Sequence, residues 1–240
     1  VLEHLATLGE LSAVARPPLL GHRGAASEAA AVGSFDEEAE RLLDAVCGDE
    51  AAVDLLCGYS LGGRLALTAA LLHPERVRRL VLIGAHSGLD DALARAERRQ
   101  ADAKWIALLG ERGIEAFVEA WQALPFFAEQ RGLPAALQQA HRQRRLAHDA
   151  AGLARSLRVC GLAEMPATRE RLGALTMPVH LVVGAGDKKF RSIAESMLAR
   201  LPRGELSVVE GCGHDVVLGA PRVLAQTMAR VLELSPSSDP

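Results

Sequence analysis

The stretch VDLLCGYSLGGRLALTAALLHP, residues 53–74, constrains the fold more than any other part of the chain. It opens with a mostly apolar run, 53–57, of the kind found in buried strands. Residues 61–73 predict a helix that ends before Pro74, because proline cannot continue a helix. Ser60 and three glycines lie where the two patterns meet. The stretch therefore predicts a buried strand that turns sharply into a helix, with a serine at the turn.

Strand-like and helix-like patterns alternate along much of the chain. Further strands are predicted at 11–15, 79–84, 178–186 and 205–211, and further helices at 2–9, 34–47, 189–201 and 220–234. Alternation of this kind favours an α/β fold in which a mostly parallel sheet is flanked by helices.

Residues 86–166 follow a different pattern, without a strand-like run. Helical patterns repeat there, with predicted breaks at Gly110, Pro125, Pro134 and Gly152. This segment also holds five of the chain's eight aromatic residues. We expect residues 1–85 and 167–240 to form the α/β core, and residues 86–166 to form a helical lid inserted between two of its strands.

The composition narrows the classes of function. Apolar residues make up 49% of the 240-residue chain, enough for a sizeable core. The net charge of −3 gives no reason to expect a nucleic acid or a membrane surface as partner, and no run of about 20 apolar residues predicts a transmembrane helix. The four cysteines form no CxxC pair, which favours a reducing, cytoplasmic location.

The spacing of histidines and carboxylates gives no sign of a metal site. No HxxxH, HxH or paired-carboxylate cluster occurs. We therefore expect a protein that works without a metal ion or another cofactor, and whose chemistry comes from its own side chains.

The segment Gly58–Gly62 matches the pattern G-x-S-x-G. In a strand-to-helix turn, this pattern holds the serine in a strained backbone conformation, and small neighbours let the helix pack close. The Ser60 hydroxyl would then project at the helix N-terminus, where the Leu61 N–H can stabilise an oxyanion. The alternative is a glycine-rich turn with an incidental serine, but the strand before it and the helix after it favour a nucleophile.

A serine nucleophile needs a base, and the base needs a group that orients it. In this type of turn the acid and then the histidine follow the serine in the chain. Asp187 follows the predicted strand 178–186, and His214 follows the predicted strand 205–211, so both lie where α/β sites are built. A turn aspartate and a surface histidine are the alternatives. Asp215 adjoins His214, so we expect its side chain to point elsewhere.

Arg64 is the only charged residue between Asp54 and Glu75. It follows Ser60 by four residues, so the two share a helix face. A guanidinium in such apolar surroundings needs an anion or water. One interpretation is a clamp for a substrate carboxylate; the other is a structural ion pair with an acid of the lid.

Six stretches carry a resemblance to a known family. They are GYSLGGR (58–64), GAHSGL (84–89), RAERRQADAKW (95–105), EAWQALPFF (119–127), GDKKFR (186–191) and GCGHD (211–215). The first is shared with many hydrolases, whereas the third and fifth are more specific. Through them the chain resembles one family of the α/β-hydrolase superfamily, the 2-succinyl-6-hydroxy-2,4-cyclohexadiene-1-carboxylate synthases of the menaquinone pathway.

The resemblance implies a reaction. The family eliminates pyruvate from 2-succinyl-5-enolpyruvyl-6-hydroxy-3-cyclohexene-1-carboxylate, a small polycarboxylate. By this resemblance Ser60, activated by His214, removes the ring proton, and Asp187 orients the histidine.

The resemblance also implies a binding site for this substrate. The positions of Arg64, Arg98 and Arg145 match carboxylate-binding arginines of the family. Those of Tyr59, Trp121 and Phe127 match residues that line its pocket. For the aromatic residues, packing within a hydrophobic core is the alternative.

The superfamily has an earlier strand that ends in an HGxxG-type loop, which supplies a second oxyanion N–H. No such stretch precedes residues 11–15. We therefore expect N-terminal strands of this fold to be missing from the sequence, and an upstream segment in the native protein.

Two further functions stay open at this point. One is a serine esterase or lactonase that acts on a small anionic substrate, because the serine, acid and histidine do not separate a hydrolase from a lyase. The other is an inactive homologue that binds carboxylates, which the lack of the second oxyanion stretch favours.

Overall fold

The computed structural model describes residues 1–7, 13–22 and 31–233. The strands are β1 (Leu56–Tyr59), β2 (Leu80–Ile83), β3 (Val179–Gly184) and β4 (Gly204–Val209). The helices are α1 (Leu2–Ala6), α2 (Phe35–Cys47), α3 (Leu61–Leu72), α4 (Ala92–Gln122), α5 (Ala135–Leu146), α6 (Ala150–Cys160), α7 (Lys188–Leu198), α8 (Val216–Gly219) and α9 (Pro221–Leu232). Short 3₁₀ helices cover Pro74–Arg76, Pro125–Gly132 and Arg169–Ala174.

The four strands form one parallel sheet in the order β1-β2-β3-β4. Because the strands are parallel, their carboxyl ends lie along the same edge of the sheet, and the segments that follow all four strands start there. The predicted α/β fold with helices flanking a parallel sheet is thereby confirmed.

The described residues of the first predicted strand, 13–15, belong to no strand. Val14 is exposed, while residues 11 and 12 fall outside the described part of the chain. A short apolar run followed by two prolines finds no partner in the described sheet, and an unpaired strand cannot satisfy its backbone groups.

A hydrophobic core covers one face of the sheet. Val81 and Ile83 of β2 and Val182 of β3 pack there with the apolar side of α9 and with Leu5 of α1. Because successive side chains of a strand point to opposite faces, Leu80 and Leu82 lie on the other face, and α3 packs against β1 and β2. The two central strands, β2 and β3, are thus buried on both faces, as their largely apolar sequences predict.

Contacts within the chain divide it into two compact units. The sheet unit comprises residues 1–16, 43–87 and 168–240, and the helical unit comprises residues 17–42 and 88–167. The helical unit contains the predicted insertion, but it also includes residues 17–42, which the sequence analysis assigned to the core. The backbones of Gly21 and Gly152 pack so closely that a Cβ on either would collide with the other, and Arg155 donates to the Val32 carbonyl at 2.7 Å.

The longest helix, α4, bends at a glycine that the sequence analysis did not single out. Gly113 has φ 75° and ψ −172°, which only glycine adopts readily, whereas Gly110 lies within the helix and does not break it. A lone glycine costs a helix only about 1 kcal/mol. Gly152, also predicted as a break, lies in the first turn of α6, where its N–H donates to the Asp149 cap at 2.6 Å.

Despite the 31 residues of α4, no helix in the described ranges has an apolar stretch suited to crossing a bilayer.

A buried ion pair holds the described residues between Pro18 and Arg41 together. The Glu38 side chain is fully buried and accepts from the Leu20 N–H at 2.7 Å. Two nitrogens of Arg41 donate to its two oxygens, both at 2.8 Å, and Arg41 also donates to the Pro18 carbonyl at 2.9 Å. These bonds satisfy a carboxylate that would otherwise be costly to bury.

Removing only the cation of this pair should destabilise the protein. Arg41→Met leaves a buried, unpaired carboxylate, so we expect the free energy of unfolding to fall by about 3–5 kcal/mol. The double variant Glu38→Gln/Arg41→Met keeps an acceptor for Leu20 and should recover most of that loss. Urea unfolding of both variants measures the difference, and an equal loss in the two would contradict the assignment.

Candidate active site

Ser60 lies at the turn between β1 and α3 in a strained conformation. Its φ of 50° and ψ of −110° fall in a region that non-glycine residues rarely adopt. Its N–H donates to the Ile83 carbonyl at 2.9 Å, and its own carbonyl accepts from the Arg64 N–H at 3.0 Å. These bonds tie the turn to the end of β2 and to the first turn of α3.

Two glycines make this turn possible. A Cβ on Gly58 would collide with the Gly62 backbone, and a Cβ on Gly63 would lie 2.8 Å from Cβ of Ala85 and 2.9 Å from the Gly58 oxygen. The last glycine of the motif is different, because a Cβ on Gly62 would meet no described atom within 4 Å. The requirement for small neighbours therefore applies to Gly58 and Gly63, and the pattern predicted it wrongly for Gly62.

The loops after β3 and β4 are held together by backbone contacts. The N–H of Ala185 donates to the Val209 carbonyl and that of Gly186 to the Cys212 carbonyl, both at 2.9 Å. A Cβ on Gly184 would collide with the backbone of the second loop. This close approach brings Asp187, at the start of α7, beside His214.

Ser60, His214 and Asp187 form one chain of hydrogen bonds. His214 Nδ1 lies 2.7 Å from Asp187 Oδ2, and His214 Nε2 lies 3.2 Å from Ser60 Oγ. An ionised carboxylate can only accept, so Nδ1 carries the proton and Nε2 can accept from the serine hydroxyl. The arrangement can move a proton from Ser60 to His214, and it can also use Ser60 as a nucleophile.

Burial keeps His214 in its neutral, basic form. The residue is 4% exposed, and desolvation lowers the pKa of its imidazole below the usual value. The hydrogen bond and charge of Asp187, and the charge of Asp215, oppose that effect, whereas the charge of Lys189 adds to it. Asp215 caps α8, accepting from the Leu218 N–H at 3.1 Å.

Three other predicted site residues lie close to Ser60 in the sheet unit. Leu61 is the first residue of α3, so its N–H is at the positive end of the helix. The Tyr59 ring centroid lies 5.3 Å from that of His214, and the half-buried Tyr59 also packs against the core. Arg64 follows one turn after Ser60 and is half-buried. Its role toward a substrate stays a prediction.

The remaining predicted residues belong to the helical unit. The Arg98 guanidinium binds the buried Asp102 carboxylate, with nitrogen–oxygen distances of 2.9 and 3.0 Å. Arg145 donates to Gln130 Oε1 at 3.0 Å and lies 5.1 Å above the Phe127 ring. Their binding of carboxylates stays a prediction.

The helical unit has an aromatic cluster, which includes two of the predicted pocket residues. Trp121 stacks on Phe117 at 5.3 Å between centroids and also lies 6.2 Å from Phe127. Phe127 is 8% exposed. Packing within the helical unit accounts for these positions, and a role in lining a pocket stays a prediction.

Two residues outside the predicted site touch the His214 imidazole. The Phe190 ring centroid lies 4.4 Å from it, and a Cβ on Gly84 would lie 2.9 Å from its Cε1 atom. Gly84 has φ 52° and directly follows β2, at the same edge of the sheet as Ser60. Its place after a strand was a usable signal, and so was the position of Phe190 three residues after Asp187.

The backbone strain at Ser60 should be measurable as lost stability. Ser60→Gly removes the strain, whereas Ser60→Ala keeps it, and neither variant has the hydroxyl. A non-glycine residue at such angles costs about 1–3 kcal/mol, and the greater chain entropy of unfolded glycine offsets about 0.5–1 kcal/mol. We therefore expect Ser60→Gly to exceed Ser60→Ala in free energy of unfolding by about 1 kcal/mol. Denaturant unfolding measures this, and a less stable glycine variant would argue against the strain.

Comparison with other proteins places this geometry in a known family. The model of the alpha/beta hydrolase family matches residues 2–227. The 2-succinyl-6-hydroxy-2,4-cyclohexadiene-1-carboxylate synthase of Enterobacter sp. (strain 638) is 33% identical over 220 residues, which cover 90% of this chain and 80% of that protein. A Bacillus subtilis (strain 168) protein provisionally given the same name is 35% identical over 177 residues, which cover 74% of this chain and 65% of that protein. The match thus spans less than two thirds of the Bacillus relative.

Solved structures agree with the sequence matches. The structure of MenH from S. aureus superimposes with a TM-score of 0.83 at 30% sequence identity, over 90% of this chain and 81% of that one. The family match extends over nearly the whole sequence, and the strand–serine–helix turn has the geometry that the family pattern requires. The chain belongs to the alpha/beta hydrolase family.

Proposed function

We propose that this protein is a carbon–oxygen lyase that eliminates pyruvate from 2-succinyl-5-enolpyruvyl-6-hydroxy-3-cyclohexene-1-carboxylate, a step of menaquinone biosynthesis. The observation that carries the proposal is the 33% identity, over 90% of the chain, to a relative named for the product of this reaction. The hydrogen-bonded Ser60, His214 and Asp187 supply a base of the kind that the elimination needs. The polycarboxylate substrate is part of the same proposal.

The names of substrate and product define what the base must do. The substrate has its ring double bond between C3 and C4, and the product has double bonds from C2 and from C4. The proton therefore leaves C2, which the neighbouring succinyl ketone acidifies, and the C5–O bond to the enolpyruvyl group breaks. The electron pair of the C2–H bond forms the C2–C3 double bond, and the old double bond shifts to C4–C5. The leaving enolate takes up a proton and becomes pyruvate.

Ser60 and His214 can act on that proton as a relay. In this proposal Ser60 Oγ takes the C2 proton while passing its own proton to His214 Nε2, 3.2 Å away. Asp187 stabilises the imidazolium that forms, since its carboxylate lies 2.7 Å from Nδ1. The proton on His214 is then available for the leaving enolate, so the enzyme ends in its starting state.

The positive end of α3 can stabilise charge on the substrate. As C2 loses its proton, negative charge develops on the ketone oxygen. The Leu61 N–H at the helix N-terminus can donate to that oxygen, and a donor aimed at developing charge is worth several kcal/mol. Arg64, one turn further along α3, would bind a substrate carboxylate, and we propose the same role for Arg98 and Arg145.

Removal of the Ser60 hydroxyl should abolish pyruvate release. We expect Ser60→Ala to lower kcat by about 10³-fold or more, because members of such a relay act as a unit. Pyruvate is measured by coupling its release to lactate dehydrogenase. Ser192→Ala, on the exposed surface of α7, is the matched control and should keep wild-type activity.

The outcomes separate the candidate functions. Absence of pyruvate release from folded wild-type protein would contradict the lyase. Turnover of short-chain nitrophenyl esters that Ser60→Ala abolishes would then support an esterase, and carboxylate binding without turnover would support an inactive homologue. Circular dichroism of each variant confirms that it is folded.

The low-pH side of the kcat/KM profile should follow the protonation of His214. The relay requires a neutral imidazole, and burial lowers the pKa of His214 below its usual value. We expect kcat/KM to stay level from about pH 8 down to about pH 6.5 and to fall tenfold per pH unit only below the lowered pKa. A profile with its midpoint above pH 6.5 would contradict the buried, neutral base.

Unfolding must be excluded at the low-pH end of that profile. Burial also lowers the pKa of His22 and of His180. Because these three histidines bind protons more readily in the unfolded chain, the free energy of unfolding should decrease as the pH falls below about 6.5. Circular dichroism at each pH shows whether the rate falls before the structure is lost.

We propose the cytoplasm as the compartment in which this reaction occurs. The structure joins none of Cys47, Cys57, Cys160 and Cys212 in a disulfide, which suits a reducing environment.

A further inference from the structure

The His214 imidazole is held by packing as well as by its two hydrogen bonds. The bonds to Asp187 and Ser60 fix the positions of the two ring nitrogens. They restrain the tilt of the ring plane less well, because each bond tolerates a broad range of angles. The contacts made by the rest of the ring must therefore set its tilt.

Phe190 is in contact with both the histidine and the aspartate of the site. Its ring centroid lies 4.4 Å from the centroid of the His214 ring, with 51° between the planes. Its backbone N–H donates at 3.1 Å to Asp187 Oδ1, whereas Asp187 Oδ2 binds the imidazole. One residue thus holds the acid through its main chain and contacts the base through its side chain.

The environment of Phe190 holds the ring in place. The His86 ring meets it edge-on, with centroids 6.4 Å apart and planes at 85°, and Lys189 Nζ lies 5.8 Å from its centroid. The imidazole is also confined at Gly84, where a Cβ would lie 2.9 Å from Cε1 and 3.2 Å from Nδ1. The Tyr59 ring, with its centroid 5.3 Å away, adds a third contact.

We propose that Phe190 is a positioning residue that sets the tilt of the His214 ring and thereby the approach of Nε2 to the Ser60 hydroxyl; its activity readout rests on the proposed pyruvate elimination. The bond that depends on this tilt is already the longer of the two, at 3.2 Å against 2.7 Å. A displacement of about 1 Å in a reacting group can cost a hundredfold in rate. Phe190 acts through His214 and does not itself exchange a proton.

The test begins with turnover. Phe190→Ala removes the ring but keeps the N–H bond to Asp187, so we expect kcat to fall by about 10- to 100-fold. KM should change far less, since the substrate contacts are kept. Phe190→Tyr retains an aromatic ring against His214 and should restore most of the kcat.

A matched control separates positioning from stability. Met197 is buried in the same helix, about two turns beyond Phe190. Met197→Ala should lower the free energy of unfolding while leaving kcat near the wild-type value at a temperature where the variant is folded. Equal losses of kcat in Met197→Ala and Phe190→Ala at equal loss of stability would overturn the proposal.

A second measurement needs no substrate. Nitrogen-15 NMR of the labelled imidazole reports which nitrogen carries the proton and at what pH the ring titrates, and His214→Asn assigns its signals. In both proteins we expect the proton on Nδ1, because Asp187 is kept; in Phe190→Ala we expect the Nε2 signal to shift as its hydrogen bond with the Ser60 hydroxyl loosens. An unchanged His214 signal in Phe190→Ala would overturn the proposal, whatever the activity.

The pH at which the ring titrates should change as well. Burial is the main cause of the lowered pKa of His214, so loss of the Phe190 ring should raise that pKa toward its usual value. The charged groups that face the imidazole are Asp187 and Asp215, which raise its pKa, and Lys189, which lowers it; all three remain in the variant.

The two proposals can fail separately. Wild-type protein that releases no pyruvate contradicts the proposed function, and the NMR measurement still decides whether Phe190 positions His214. If the wild type releases pyruvate, and Phe190→Ala keeps the wild-type kcat and His214 signal, only the positioning role is contradicted.

Discussion

The parallel pairing of four adjacent strands is the constraint on which the site depends. Because the strands run in one direction, their carboxyl ends meet at one edge, and a short segment after each suffices to reach a common point. Ser60 comes directly after β1, Asp187 three residues after β3 and His214 five residues after β4. The increasing lengths reflect the distances to be covered, since β1 and β4 lie at opposite sides of the described sheet.

Close backbone packing at this edge leaves little room for adjustment. Gly58 and Gly63 let α3 approach β1, Gly184 lets the loops after β3 and β4 meet, and Gly84 leaves space for the imidazole. Ser60 is the strained residue of this turn, and the bonds of the turn hold it at φ 50°. The site is closely packed because its neighbours lack side chains, so a substitution at these glycines would displace the backbone that carries the site residues.

Much of the sheet unit was predictable from the sequence, because local signals there agree with one another. Apolar runs locate the four strands to within about three residues, and the order of serine, acid and histidine indicates which side chains should meet. The described part of the strand predicted at 11–15 is unpaired, because apolar character does not guarantee a pairing partner. Phe190 lies in the stretch GDKKFR and close after Asp187, but its contact with His214 depends on how α7 leaves the sheet, which the sequence does not specify.

The helical unit was less predictable, because contacts distant in sequence determine it. The inclusion of residues 17–42 follows from the approach of Gly21 to Gly152 and from the bond of Arg155 to the Val32 carbonyl, and neither has a local signature. The bend at Gly113 rather than Gly110 shows the same limit, since both glycines present the same sequence signal. Arg98, by contrast, has its partner Asp102 four residues away, a spacing that the sequence does display.

Asp187 uses a single side chain both to hold the imidazole of the candidate site and to begin a helix. One oxygen begins α7 by accepting from the Phe190 N–H, and the other binds His214 Nδ1. An asparagine could still cap the helix, but the group that it turned toward the imidazole would be either an amide NH₂ or a neutral, weaker acceptor. A glutamate could reach the histidine only from a different backbone position, and it would then leave the helix uncapped. The two demands together admit only a short carboxylate. This position should therefore tolerate less sequence drift than either demand alone would require.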